Sequence, residues 1–189
     1  MRIRTSLLAA PLFFLPMLAF AEVAKWEIVP IESNLRFTAT QNNAPVSGTF
    51  KNINGSIDFS KDDLKHSKVN IVVEMDSVHA GFQELVSTLK TADWLDVAKF
   101  KEATFTSDDI TNVKGDTYLA KGQLKIRDKK VPIQVTFDIK DTPKGNMQVQ
   151  GETEIKRTEF GVGQGDWAGT DEVKDEVKVN FNLELKPSK

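Results

Sequence analysis

The stretch YLAKGQLKIRDKKVPIQVTFDI, residues 118–139, holds two runs in which apolar side chains recur at every second position. Tyr118, Ala120, Gly122, Leu124 and Ile126 form the first, and Val131, Ile133, Val135, Phe137 and Ile139 the second. Asp128-Lys129 between them is turn chemistry. A period of two puts one set of side chains inside a sheet and the other, largely Lys, Gln, Asp and Thr, in water. The short connection makes the two strands antiparallel neighbours.

The same alternation continues outward in Leu35-Phe37-Ala39, Val69-Ile71-Val73-Met75, Met147-Val149-Gly151-Thr153-Ile155 and Val177-Val179-Phe181-Leu183-Leu185. Turn residues separate the runs at Asn42-Asn43-Ala44-Pro45, Asn54-Gly55, Lys114-Gly115-Asp116 and Pro143-Lys144-Gly145-Asn146. About eight such strands with one polar face must protect their edges, either by closing into a barrel or by packing as two sheets. Periodicity does not choose between the two.

One segment departs from the pattern. Phe82, Leu85, Val86 and Leu89 recur at i, i+3, i+4 and i+7, which predicts an amphipathic helix over about residues 78–91. Asp93 is placed to cap a second short helical turn, Trp94-Leu95-Asp96-Val97, before Phe100 turns back into the sheet. A helical insertion over about residues 78–100 among strands can cover an open end or side and seal the interior from water.

At the N-terminus, Arg2 and Arg4 precede an apolar run over residues 7–20, and Ala19-Phe20-Ala21 supplies the small residues of a signal-peptidase site. The expectation is an exported chain cut after Ala21, leaving residues 22–189 as one domain in the periplasm. The run is too short to span a bilayer comfortably, and Pro11 and Pro16 interrupt it. The whole chain has formal net charge −2 and no Cys. Without a basic cluster nucleic acid is not an expected partner, and without Cys neither disulfides nor thiol catalysis nor cysteine-metal sites arise.

Motif tests leave little catalytic chemistry. Gly161-Val162-Gly163-Gln164-Gly165 has G-x-G-x-G spacing, not that of a dinucleotide cradle, and reads better as a bending loop beside a barrel mouth. His66 and His79 stand apart, with no metal-ligand spacing, and His79 is read as facing solvent. Asp62-Asp63 and Asp108-Asp109 read as solvated turns, and no G-x-S-x-G elbow presents a serine nucleophile. Nine of the twelve Phe and all three Trp lie beyond the leader, enough for either a packed core or a lined cavity.

The order of motifs adds a family resemblance. Trp26-Glu27-Ile28-Val29-Pro30, Ser33-Asn34-Leu35-Arg36-Phe37, Val46-Ser47-Gly48-Thr49-Phe50 and Gly55-Ser56-Ile57-Asp58-Phe59 come first. Thr88-Leu89-Lys90-Thr91-Ala92-Asp93-Trp94-Leu95-Asp96, Ala103-Thr104-Phe105-Thr106-Ser107, Gly122-Gln123-Leu124-Lys125-Ile126-Arg127 and Arg157-Thr158-Glu159-Phe160-Gly161-Val162-Gly163 follow. The ordered set resembles the YceI-like family of exported lipid-binding proteins over essentially the whole mature chain. Gly163-Gln164-Gly165-Asp166-Trp167-Ala168 resembles the branch associated with membrane cytochromes of the b561 type. One departure is Gln83-Glu84, where many members carry Arg-Asp, so no role of that pair is carried over.

The resemblance implies an all-β, eight-stranded antiparallel lipocalin-like barrel holding a polyisoprenoid, a quinone or a precursor, with no other cofactor, no metal and no catalytic residues. It also makes a homodimer and transient membrane contact plausible. Placed on this sequence, the lipid-binding wall is expected at Phe37, Phe50, Phe59, Ile71, Val73, Phe105, Leu124, Ile126, Val135 and Phe137. Phe82, Leu85, Leu89 and Trp94 are expected as lid or side wall, and Phe160 and Trp167 near the mouth. Two rivals remain: a filled accessory barrel of a membrane respiratory system, and an enzyme acting on the isoprenoid head.

Overall fold

The computed structural model describes residues 23–143 and 145–188, so the expected leader lies outside the described residues. Among these residues, eleven strand segments and one α-helix follow one another. The segments are β1 (Lys25–Ile28), β2 (Asn34–Gln41), β3 (Ala44–Phe50), β4 (Ile53–Asp58), β5 (Lys68–Glu74) and β6 (Val78–Ala80). Then come α1 (Gln83–Lys90), β7 (Glu102–Lys114), β8 (Thr117–Ile126), β9 (Lys129–Asp141), β10 (Met147–Lys156) and β11 (Glu176–Pro187).

Three pairs of segments are long strands broken by kinks. A 3-10 turn at Pro30–Glu32 separates β1 from β2, Lys51-Asn52 separates β3 from β4, and a 3-10 turn at Met75–Ser77 separates β5 from β6. Pro30 suits the first of these because it has no N–H to give to a ladder. Ser77 ties the other two together: its Oγ accepts from the N–H groups of Lys51 and Asn52, both at 3.2 Å, and donates to the carbonyl of Glu74 at 2.6 Å.

With the kinked pairs joined, the eight strands form one closed antiparallel barrel. Closure is made by β11, which pairs with β1 through Ile28↔Leu185 and with β2 through Phe37↔Val179. Closure leaves only the short β6 with an unpaired edge, so of the two architectures left open by periodicity the barrel is the one formed.

The β8–β9 hairpin sets the pattern. Tyr118↔Phe137, Ala120↔Val135, Gly122↔Ile133 and Leu124↔Val131 face one another on the inner side. Arg127, with φ 56°, and Asp128 make the turn. Asn42 and Asn43, at φ 48° and 62°, make the β2–β3 turn in the left-handed region that Asn tolerates.

Four local expectations are corrected. Asn54-Gly55 is not a turn; it lies inside β4, where a β-carbon on Gly55 (φ 157°) would run into the carbonyl of Asn70 on β5. Asp108-Asp109 lies inside β7 at a bulge, held by Ser107, whose Oγ accepts from Asp109 N–H at 3.3 Å and donates to Lys121 O at 2.8 Å. The helix begins at Gln83, because Val78–Ala80 instead takes ladder bonds beside Phe50, Thr49 and Gly48. Residues 94–97 form turns rather than helix, since Asp96 adopts φ 49°.

The barrel has two unlike ends. One collects the 59–67 loop, the β7–β8 and β9–β10 turns and both ends of the described chain, and it is tightly packed. Phe59 meets Tyr118 edge-on at 5.4 Å, and Tyr118 stacks on Phe137 at 5.7 Å. Lys61 bridges Asp141 at 2.8 Å and Asp116 at 3.4 Å; the bond to Asp141 raises its pKa. At the other end β7 starts beside Glu74, leaving β6 paired with β3 alone, and residues 81–101 fill that gap.

Candidate functional site: an apolar lumen

Packing loosens from one end of the barrel to the other. Near the packed end Leu185, Ile139 and Met147 are 1%, 2% and 3% exposed. Toward the helical end Phe37, Ile71, Phe105, Leu124, Ile126 and Phe181 point inward yet stay only partly buried, because they face empty space. That space is a cavity of about 270 Å³ with a wholly apolar surface. Its wall runs from Phe59 and Leu185 at one end to Leu89, Trp94, Phe160 and Val162 at the other.

Phe37 and Phe50 (β2 and β3), Ile71 and Val73 (β5), Phe105 (β7), Leu124 and Ile126 (β8), and Val135 and Phe137 (β9) line the lumen, with Phe59 toward the packed end. Leu89 of α1, Trp94 and Phe160 line it at the helical end. Three residues are placed elsewhere. Phe82 stands just before the helix and is 75% exposed; Leu85 packs against the core without lining the cavity; Trp167 lies behind Trp94, 5.6 Å between ring centres. The first two miss because the helix is short and only Val86 and Leu89 are buried along it.

The cover is clasped from several sides. Arg127, in the β8–β9 turn, donates from Nη1 to the carbonyls of Trp94 and Gly161, each at 2.7 Å, and lies over the Phe100 ring. The carbonyl of Asp93 accepts from the N–H groups of Gly163 (2.8 Å) and Gln164 (2.7 Å), joining the cover to the β10–β11 loop. Lys90 pairs with Asp76 at 2.9 Å and lowers its pKa, so this contact weakens as pH falls through the Asp76 pKa. We expect Arg127→Ala to cost about 1–3 kcal/mol locally. Amide exchange at Leu95, Gly163 and Gln164 should speed up well before global unfolding; unchanged exchange would show that these bonds do not hold the cover.

Two features escaped the sequence reading. Arg157 is 2% exposed and lines the helical end of the lumen. Its Nε donates to Lys174 O (3.2 Å), Nη1 to Val162 O (3.0 Å) and Gly163 O (3.4 Å), and Nη2 to Gly169 O and Val173 O (2.9 Å). That engages every N–H a guanidinium has, so Arg157 organises the loop. Burial lowers its pKa and nearby Asp175 raises it. The second feature is the Trp94 indole N–H, which is buried with no hydrogen-bond partner among the described residues.

Ionisable chemistry near the lumen is sparse. Arg157 is the one ionisable side chain among the described residues of the wall. His66 bonds Asp63 at 2.8 Å on the surface, and His79 is exposed on β6. Among the described residues no group of three or more His, Cys, Asp or Glu side chains is placed to hold a metal ion.

Comparison with known proteins agrees with this architecture. The model of the YceI-like domain family matches residues 26–185. Protein YceI of Salmonella arizonae and of Salmonella paratyphi B are each 30% identical over 120 residues, 61% of this chain and 62% of theirs. The chain therefore aligns with somewhat under two thirds of the length of these relatives. Among solved structures, Burkholderia cenocepacia BcnA superposes with TM-score 0.80 at 26% identity, covering 84% of this chain and 99% of its own. A polyisoprenoid binding domain from Saccharophagus degradans superposes at 0.68 with 14% identity, covering 89% and 100%.

Proposed function

Because the chain belongs to the YceI-like family, we propose that its lumen binds the apolar chain of an isoprenoid lipid, a polyprenol, quinone or precursor, and carries it through the periplasm after loss of residues 1–21. The observation that carries this reading is a lumen with no polar surface, running from the packed end of a closed barrel to a clasped cover. The shared architecture with a polyisoprenoid binding domain supports it.

The wall follows β11 from Val177 to Leu185, about 26 Å of strand. A site that long, with no polar wall, suits a chain better than a compact polar ligand. Ten buried methylene groups are nominally worth ~8 kcal/mol, a micromolar affinity before the chain's ordering is subtracted. The filled-barrel reading calls for side chains where the cavity stands. A head-group enzyme calls for an acid and a base beside the lipid, and the described wall offers only a committed arginine.

The test is native mass spectrometry of protein purified from its own cells, with solvent extraction of whatever is released. The expected result is an adduct that extracts as an isoprenoid lipid. A clean unliganded mass under gentle conditions, with no uptake of added quinones or polyprenols, overturns the proposal.

A further inference from the structure

We propose that three strand glycines, Gly48, Gly122 and Gly151, set the bore of the lumen by letting phenylalanine rings lie along the wall instead of across the opening. They thereby become determinants of which lipid chains the barrel accepts. The bore itself is a property of the empty protein; its role in lipid selection rests on the function proposed above.

The contacts are specific. A β-carbon added at Gly48 would fall 2.5 Å from Cε1 and Cζ of Phe37, one at Gly122 2.7 Å from Cε2 and Cζ of Phe105, and one at Gly151 2.5 Å from Cζ of Phe181. In each case the far end of the ring is the nearest part, so the ring reaches sideways over the neighbouring strand. Phe37 and Gly48 are direct cross-strand partners, as are Phe181 and Gly151. Phe105 reaches Gly122 diagonally, from two residues before its partner Ser107. All three rings line the lumen.

An eight-stranded barrel is only just wide enough for its side chains to fill, so the direction of a few large rings decides whether it is hollow. Each of these rings occupies space that any other residue's β-carbon would take. The glycines lie on β3, β8 and β10, spread around the circumference, so the rings are drawn aside in three directions. Sheet packing gives the displaced rings one open direction, which is inward.

The first test uses xenon uptake by the lipid-free protein, followed by NMR, and affinity for an eight-unit polyprenol. Gly48→Ala should cut xenon uptake and weaken polyprenol binding at least about tenfold. Gly48→Ala/Phe37→Ala, which keeps the added methyl and removes the ring, should restore xenon uptake. Gly48 is the choice because its backbone neighbour, the His79 carbonyl, is less crowded than those at the other two sites.

Unchanged xenon uptake in folded Gly48→Ala overturns the bore proposal, as does a double variant that stays closed. If neither variant folds, a structure of the wild type loaded with polyprenol decides. Rings still lying over the glycines support the proposal, and rings that cross the lumen or move on loading overturn it. Wild type that takes xenon but no lipid sinks the lipid reading while leaving the bore intact.

Discussion

Replacing Arg157 by methionine is expected to cost about 3 kcal/mol or more of stability, the largest loss of any single change outside the hydrophobic core. The side chain is 2% exposed and shares its donors among the carbonyls of residues 162, 163, 169, 173 and 174. Methionine fills the space of the stem but donates nothing, so carbonyls that turned inward to meet the cation lose their partners. Each buried orphan costs about 1–3 kcal/mol, reduced where water can enter. Lysine should recover only part of the loss, because a point ammonium does not match a fork.

The loop that Arg157 gathers also receives the cover through Asp93, so the effect should reach function. Urea unfolding gives the stability change, and dissociation of a loaded polyprenol gives the cover's opening. We expect both to move in Arg157→Met, the lipid leaving at least tenfold faster. Wild-type stability in that variant would mean that the loop folds without its centre.

Phe137→Asp should abolish lipid loading. Phe137 is 9% exposed, lines the lumen and stacks on Tyr118 at 5.7 Å and 22°. Loss of the ring alone costs about 3–5 kcal/mol, and a carboxylate facing an apolar lumen adds a desolvation cost unless it takes up a proton. Water drawn to that carboxylate would compete with any hydrocarbon chain. Phe137→Leu separates the effects: it should stay folded and loadable, with a loss of stability below that of the aspartate. Loading of folded Phe137→Asp at wild-type level would show that the chain does not reach this depth.

The alternation along residues 118–139 was enough to assign inward and outward faces, since side-chain direction in a strand depends on sequence parity alone. That is why the sequence alone assigns Leu124 and Phe137, both in the lining of the cavity, to the inward face. Cross-strand register is a different kind of information. Nothing in the sequence says that Phe37 faces Gly48 or that Phe181 faces Gly151, so the link between glycine and bore was invisible.

The errors have a common origin. Asn54-Gly55 has the composition of a turn, but Gly55 is used for close approach to Asn70 on the adjacent strand. Phe82 completes a helical stripe in sequence, yet the ladder claimed residues 78–80 and left Phe82 ahead of the first helical turn. Arg157 enters the sequence analysis only within a family motif, and its burial depends on the fold bringing carbonyls from residues 162–174 around it. In each case a partner distant in sequence or supplied by a loop decided the outcome.

The ring is completed by β11, which holds β1 and β2 at opposite ends of the chain: Ile28 meets Leu185 and Thr38 meets Lys178. The ring therefore cannot close until β11 is present. Pairings of such long sequence separation also fold slowly, because loop closure must be completed before the contacts return any stability. On the export proposed above, that delay would be useful, because a chain threaded through a membrane unfolded would stay open until β11 has followed.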